Sequence, residues 1–182
     1  MKFVAAMAAS VLLLVALAAL PSAPQQIPSP KDVVAPTAYV SLDPAGRGSQ
    51  FQIAVVLKIR NGFHINAREK SEEYLIATDL RSNAPAGFQL GEVSYPKGAL
   101  HTFSFSKTPL NVYEGTITLR LPVTVLASAP LGTQHFPLKL RYQACSTEVC
   151  LPPVTLDVDA QFDVAASAAE SKPVHPELFP PR

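Results

Sequence analysis

Large apolar side chains fall on every second residue from Phe51 to Ile59: Phe51, Ile53, Val55, Leu57 and Ile59 alternate with Gln52, Ala54, Val56, Lys58 and Arg60. Period two of this kind predicts a strand with one face in a core. Asn61-Gly62 then predicts a turn into Phe63-His64-Ile65-Asn66. The signal returns at Phe88–Tyr95, which ends on Pro96-Lys97-Gly98, and at Ile117, Leu119, Leu121, Val123 and Val125. It returns again at Phe136, Leu138, Leu140 and Tyr142, and at Val154, Leu156 and Val158. Pro122 falls on the polar face of its run and has no N–H for a ladder, which places that strand at an edge or a bulge. Arg68–Leu80 is ambiguous: its Glu and Lys content permits a helical turn, while Tyr74-Leu75-Ile76 reads as extended. Seven or eight short strands, with turn signals about every ten residues and no competing helical period, predict an all-β, antiparallel two-sheet sandwich.

The ends read differently from the middle. Lys2 precedes an uncharged run from Phe3 to Leu20 and then Pro21-Ser22-Ala23-Pro24, with small residues at Ala16, Ala18 and Ala19. A positive start, a short apolar stretch and small residues read as a secretory signal over residues 1–23; the alternative is a membrane anchor, since the run can just span a bilayer. Residues 24–36, rich in Pro, Gln and Ser, read as an extended leader. The folded domain is expected over residues 37–164, and the Ala-rich chain over 165–182 as a flexible tail. The mature chain is then exported, periplasmic or secreted, with membrane contact only through an uncleaved signal.

Charge narrows the partners. Fifteen basic against 14 acidic side chains leave no basic excess to release counterions from a phosphate backbone, which disfavours nucleic acid. No phosphate-cradling glycine loop, Ser-His-Asp arrangement or convincing carboxylate pair is present, so nucleotide-dependent and hydrolase readings lack support. Glu69-Lys70-Ser71-Glu72-Glu73 reads as a solvated loop.

The chemistry concentrates in the two cysteines, Cys145 and Cys150, within Tyr142-Gln143-Ala144-Cys145-Ser146-Thr147-Glu148-Val149-Cys150-Leu151-Pro152-Pro153. They sit between two strand patterns, and four intervening residues let the chain fold back and bring the sulfurs to bonding distance. In an oxidising compartment such a pair should form a disulfide. Closing so short a loop contributes only about 2 kcal/mol in the chain-entropy account, inefficient for a staple and suitable for reversible dithiol chemistry. A structural bridge and a metal site remain alternatives. No helix N-terminus is predicted here to stabilise a thiolate, and Glu148 opposes one if it lies close. Such thiols fit a relay whose partner supplies the low-pKa sulfur.

The string Tyr-Gln-Ala-Cys, a short gap and Cys-Leu-Pro-Pro resembles the active-site hairpin of the periplasmic N-terminal domain of DsbD, the transmembrane thiol:disulfide interchange protein. Asn61-Gly62-Phe63-His64-Ile65-Asn66, Tyr95-Pro96-Lys97-Gly98 and Val112-Tyr113-Glu114-Gly115 look similar in the same order, and the resemblance spans roughly Ala35 to Val164. It implies an immunoglobulin-like domain that receives electrons through the membrane protein and reduces periplasmic disulfide partners. It also implies a Cys145–Cys150 redox pair in which Cys150 forms the mixed disulfide and Cys145 resolves it. The partners implied are other thiol:disulfide oxidoreductases of the thioredoxin-like kind in the cell envelope.

The family carries a loop that caps the disulfide until a partner docks, and chain order places it near His101-Thr102-Phe103-Ser104-Phe105-Ser106. Phe103 and Phe105 have the apolar character a cap needs; alternatively, both rings face the core of a strand. The family places side chains such as His64 and Asn66 near the cysteines, where His64 is a candidate for proton transfer to a leaving thiolate. Tyr142 and Gln143 are candidates to frame a docking surface, although core packing explains Tyr142 as well. A tetrahedral zinc or copper site built from Cys145, Cys150, His64 and His101 is a further alternative, but the histidines have no ligand spacing of their own. No organic cofactor is expected, since the cysteines carry the electrons.

Three departures stand out. The best-known members have one more residue between the cysteines. Their acidic cap residues have no match at Thr102 and Phe103. The sequence shows neither a multi-span membrane domain nor a thioredoxin-like Cys-x-x-Cys, so a reductase role draws its electrons from another polypeptide. The rival reading is a non-enzymatic sandwich that binds a protein partner, its disulfide only pinning a loop.

Overall fold

Four long alternating runs make the frame. In the computed structural model, which describes residues 27–179, they are the strands Gln50–Ile59 (β3), Thr116–Val125 (β9), Gly132–Tyr142 (β10) and Val154–Ala165 (β12). The others, in chain order, are Val34–Val40 (β1), Ala45–Gly46 (β2), His64–Asn66 (β4), Asp79–Arg81 (β5), Phe88–Leu90 (β6), Ala99–His101 (β7), Leu110–Tyr113 (β8) and Ala144–Cys145 (β11). Only two short 3-10 turns, Pro30–Asp32 and Ala168–Glu170, accompany them among the described residues. The expected signal segment lies outside those residues.

Two four-stranded sheets, in the orders β1-β3-β9-β6 and β2-β12-β10-β5, pack face to face. All pairings are antiparallel except the two-residue contact of β2 with β12. The alternation decides the inner faces: Phe51, Ile53, Val55, Leu57 and Ile59 are buried from one sheet, and Phe136, Leu138, Leu140 and Tyr142 from the other. Phe162 joins the layers, 4.8 Å from Phe51 and 5.8 Å from Phe88 between ring centroids. The architecture is the all-β, immunoglobulin-like sandwich the strand pattern and the resemblance predict.

A third small sheet, ordered β11-β4-β8-β7, closes one end of the sandwich. Three of its strands continue long ones: β4 follows β3 through the turn at Gly62 (φ +81°), β8 leads into β9 through Gly115 (φ +66°), and β11 follows β10. Positive φ is the conformation in which glycine avoids the Cβ penalty, and both turns use it. The main layers thus carry the small sheet at their shared end.

Several expectations are corrected here. The leader does not run to Pro36, because Val33 and Val34 are buried and β1 pairs with β3 from Val34 onward. Arg68–Thr78 is irregular and only Asp79–Arg81 forms a strand, pairing with Arg141, Leu140 and Lys139. Pro122 lies in an inner strand, so of the two expected placements the bulge holds and the edge does not: between the Leu90–Val123 and Ser94–Arg120 pairs, Gly91–Val93 oppose only Leu121 and Pro122, and the Pro122 carbonyl accepts from Gly91 N–H at 2.9 Å. Its nitrogen faces that same side, where β6 has ended at Leu90 and the chain rejoins β9 only at Ser94, so no ladder bond is lost. The chain after β12, expected as a flexible tail, is held against the domain through Phe179. Lys172 N–H donates to Pro44 O, Val174 N–H to Ser41 O and Gly46 N–H to Ser171 Oγ, and Arg120 holds the Leu178 carbonyl.

Candidate functional site

The segment joining β10 to β12 carries the cysteines. Leaving the main sheet at Tyr142, the chain forms β11 and pairs Ala144 with Ile65 and Cys145 with His64. It reverses over Ser146–Val149, and Cys150 returns opposite Cys145 as an isolated antiparallel bridge. The two sulfurs are joined, with Cα atoms 4.0 Å apart. Leu151 N–H donates to Ala144 O at 2.8 Å and Ser146 N–H to Val149 O at 2.8 Å, so backbone bonds bracket the disulfide on both sides. The two cysteines differ in exposure. Cys145 is 2% exposed, while Cys150 is open to solvent.

Register defines what lies beside Cys145. Directly opposed residues of an antiparallel pair share a face, and alternate residues of a strand return to it. Cys145, His64, Asn66, Val112, Leu110, Ala99 and His101 therefore line one face of the small sheet. The other face sends Ile65 and Tyr113 into the main core. Above the first face a separate apolar cluster forms from Leu75, Phe103, Leu110 and Val112.

Phe103 closes this face. Its ring stacks on His64 at 4.2 Å between centroids and 23° between planes, with His101 at 6.2 Å and Phe105 at 5.2 Å on further stacked contacts. β7 ends at His101, so both phenylalanines lie in an irregular loop, not on a strand facing a core. Phe103 is buried; Phe105 is about half exposed and lies over it. The loop is tied down by Ser106 N–H to Phe103 O and, from Thr108 Oγ1, to Glu72 at 2.6 Å.

Beneath the ring, His64 is 2% exposed and its Nε2 has no hydrogen-bond partner. Burial, and then the neighbouring His101, push its pKa down to about 4, so the imidazole is neutral near pH 7. His101 in turn lies 3.7 Å from Glu114. Asn66 is also buried: Nδ2 donates to Ile76 O at 3.1 Å, and Oδ1 has no partner. Asn66 and Thr78 thereby fix the irregular segment after β4, since Thr78 donates through both N–H and Oγ1 to Asn66 O.

The remaining candidates fall outside this face. Tyr142 is fully buried in the main core and its hydroxyl donates to Pro30 O at 2.7 Å, so packing accounts for it. Gln143 braces the hairpin, its Nε2 donating to Leu151 O at 3.3 Å. Among the described residues, no three His, Cys, Asp or Glu side chains converge as a metal-binding group. Sequence reasoning missed Leu75, Leu110 and Val112, which seat the Phe103 ring, because Leu75 lies in an irregular segment and the four-residue β8 that holds Leu110 and Val112 is too short to show a period.

Residues 31–161 match the family described as "Thiol:disulfide interchange protein DsbD, N-terminal". Among curated proteins, none matches this sequence significantly. A similar solved structure is the N-terminal periplasmic domain of ScsB from Proteus mirabilis, at 13% identity and a TM-score of 0.44. That match covers 71% of this chain and 45% of the other, so the chain spans less than half the length of that structure. The family match covers well over half of the sequence, including both cysteines and the loop above them, and the chain belongs to the DsbD N-terminal family.

Proposed function

We propose that this domain is an exported thiol:disulfide exchange relay, using Cys145 and Cys150 to pass electrons between protein partners in the periplasm. The observation that carries the reading is the unequal exposure of the two bonded cysteines: Cys150 exposed, Cys145 buried beside a ring-capped histidine. In the reduced domain the Cys150 thiolate attacks a partner's disulfide, forming the mixed disulfide and releasing one partner thiol. The Cys145 thiolate then attacks Cys150 Sγ, closes the intramolecular bond and expels the second partner thiolate. Two electrons and two protons leave the domain and one partner disulfide becomes a dithiol. The reverse exchange with a thioredoxin-like reductant restores the pair.

Phe103 and Phe105 act as the cap that keeps small thiols from the buried sulfur. His64 serves as the seat of that cap; neutral near pH 7, it does not act as an imidazolium acid. Asn66 holds the adjoining segment, and Gln143 steadies the hairpin. Trapping tests the order of attack. Cys145→Ser should form a stable covalent adduct with a thioredoxin-like protein that retains only its attacking cysteine, activated as its thionitrobenzoate mixed disulfide so that thionitrobenzoate leaves as Cys150 attacks, and Cys150→Ser should form far less. Equal failure of both variants, with a wild-type disulfide that resists native reduction, would leave the pair a staple in a binding module.

A further inference from the structure

The disulfide is not the only device that closes the hairpin. Ser146 Oγ accepts from Glu148 N–H and Val149 N–H, both at 3.1 Å, and lies 3.5 Å from the Val149 carbonyl. On the other side of the cysteines, Gln143 Nε2 holds Leu151 O. Neither clamp involves sulfur, so both can persist when the pair is reduced. The four residues between the cysteines contain no glycine or proline to impose a turn, which leaves the Ser146 hydroxyl as the side chain that organises it.

We propose that Ser146 is a positioning residue for the exchange reaction, setting how readily the reduced cysteines reclose. This rests on the relay reading above. The reasoning is reciprocal linkage: the closed disulfide enforces the turn, so any bond that favours the turn in the dithiol favours disulfide formation by the same factor. The factor is realised in full where the reduced hairpin opens freely, and Ser146–Cys150 is the solvent-facing arm of the hairpin. The step concerned is protein dithiol plus oxidised glutathione giving protein disulfide plus two reduced glutathiones. Two electrons pass from the cysteines to glutathione, and the two thiol protons go with them.

The experiment is redox equilibration of wild type, Ser146→Ala, Ser146→Thr and Thr147→Ala in glutathione buffers, with free thiols trapped and counted. Losing the acceptor of two exposed N–H groups should lower the equilibrium constant for disulfide formation roughly two- to tenfold in Ser146→Ala. A tenfold change moves the potential about 30 mV in the oxidising direction. Ser146→Thr keeps the oxygen and should match wild type; Thr147→Ala alters only an exposed neighbour and should also match. An unchanged Ser146→Ala, a Ser146→Thr that falls with it, or an equal shift in Thr147→Ala overturns the proposal. A wild-type pair too reducing for glutathione refutes the relay reading instead. The four proteins are then compared in dithiothreitol buffers, where the same Ser146 ordering sustains the clamp and its absence overturns it.

Discussion

Acid should weaken this domain through one histidine. His64 is buried under the Phe103 ring with Nε2 unpartnered, and its pKa is pushed down to about 4 from 6.5. A histidine whose folded pKa is depressed is more basic in the unfolded chain, so the unfolded state takes the proton first as pH falls. Its contribution is intact above about pH 6.5, declines between 6.5 and 4, and is spent below the folded value. At 1.36 kcal/mol per unit, the loss between pH 7 and pH 4 is about 3 kcal/mol. Other groups titrate in the same range, so the comparison must isolate His64. His64→Phe can keep the stack on Phe103 and abandons no hydrogen bond at Nε2. Urea unfolding of both proteins, disulfide intact, should give a stability difference that moves by about 3 kcal/mol against wild type from pH 7 to pH 4. Parallel curves across that range would refute the reasoning, because they would mean that the imidazole titrates alike folded and unfolded.

Three further outcomes follow from the packing. Phe103→Ala removes the ring seated among Leu75, Leu110 and Val112, a change worth roughly 3–5 kcal/mol in a full core. Since about 1.4 kcal/mol of cap closure is a factor of ten in the open population, dithiothreitol should reduce the disulfide at least ~10-fold faster. An unchanged rate would remove the loop from the account. Gly98→Ala would set a Cβ 2.2 Å from Asn111 Oδ1 and 2.8 Å from the Ala67 Cβ. Asn111 Nδ2 donates to Glu69 O, so the displacement should loosen the chain after β4 and cost about 1–3 kcal/mol in urea unfolding. Phe162→Ala empties the contact between the two main sheets and should cost about 3–5 kcal/mol, a fall in Tm of roughly 10 °C by calorimetry.

The long strands were legible because each buries one face over four or five alternate positions, as at Phe51–Ile59 and Phe136–Tyr142. The small sheet was not, since three residues such as His64–Asn66 and Ala99–His101 carry no measurable period, and their partners are set by the long strands they extend. The tail misled for a related reason. Ala165–Pro173 has the composition of a linker, yet it is fixed by backbone bonds to Asp43, Pro44 and Arg47 that composition does not encode. At the site, the spacing of Cys145 and Cys150 and their flanking residues pointed to the hairpin directly. The two phenylalanines were open to either a strand or a cap reading, and the structure separates them, one buried and one exposed, in a loop. The Ser146 hydroxyl carried no advance signal, because a serine in a turn is ordinary until its partners are known.

The most direct test of the account is the reduction potential of the Cys145–Cys150 pair, measured by equilibration with glutathione buffers and trapping of free thiols. An exchangeable relay predicts a value above roughly −250 mV, within reach of thioredoxin-like partners. A value below about −300 mV would mark a structural bridge and contradict the proposed function.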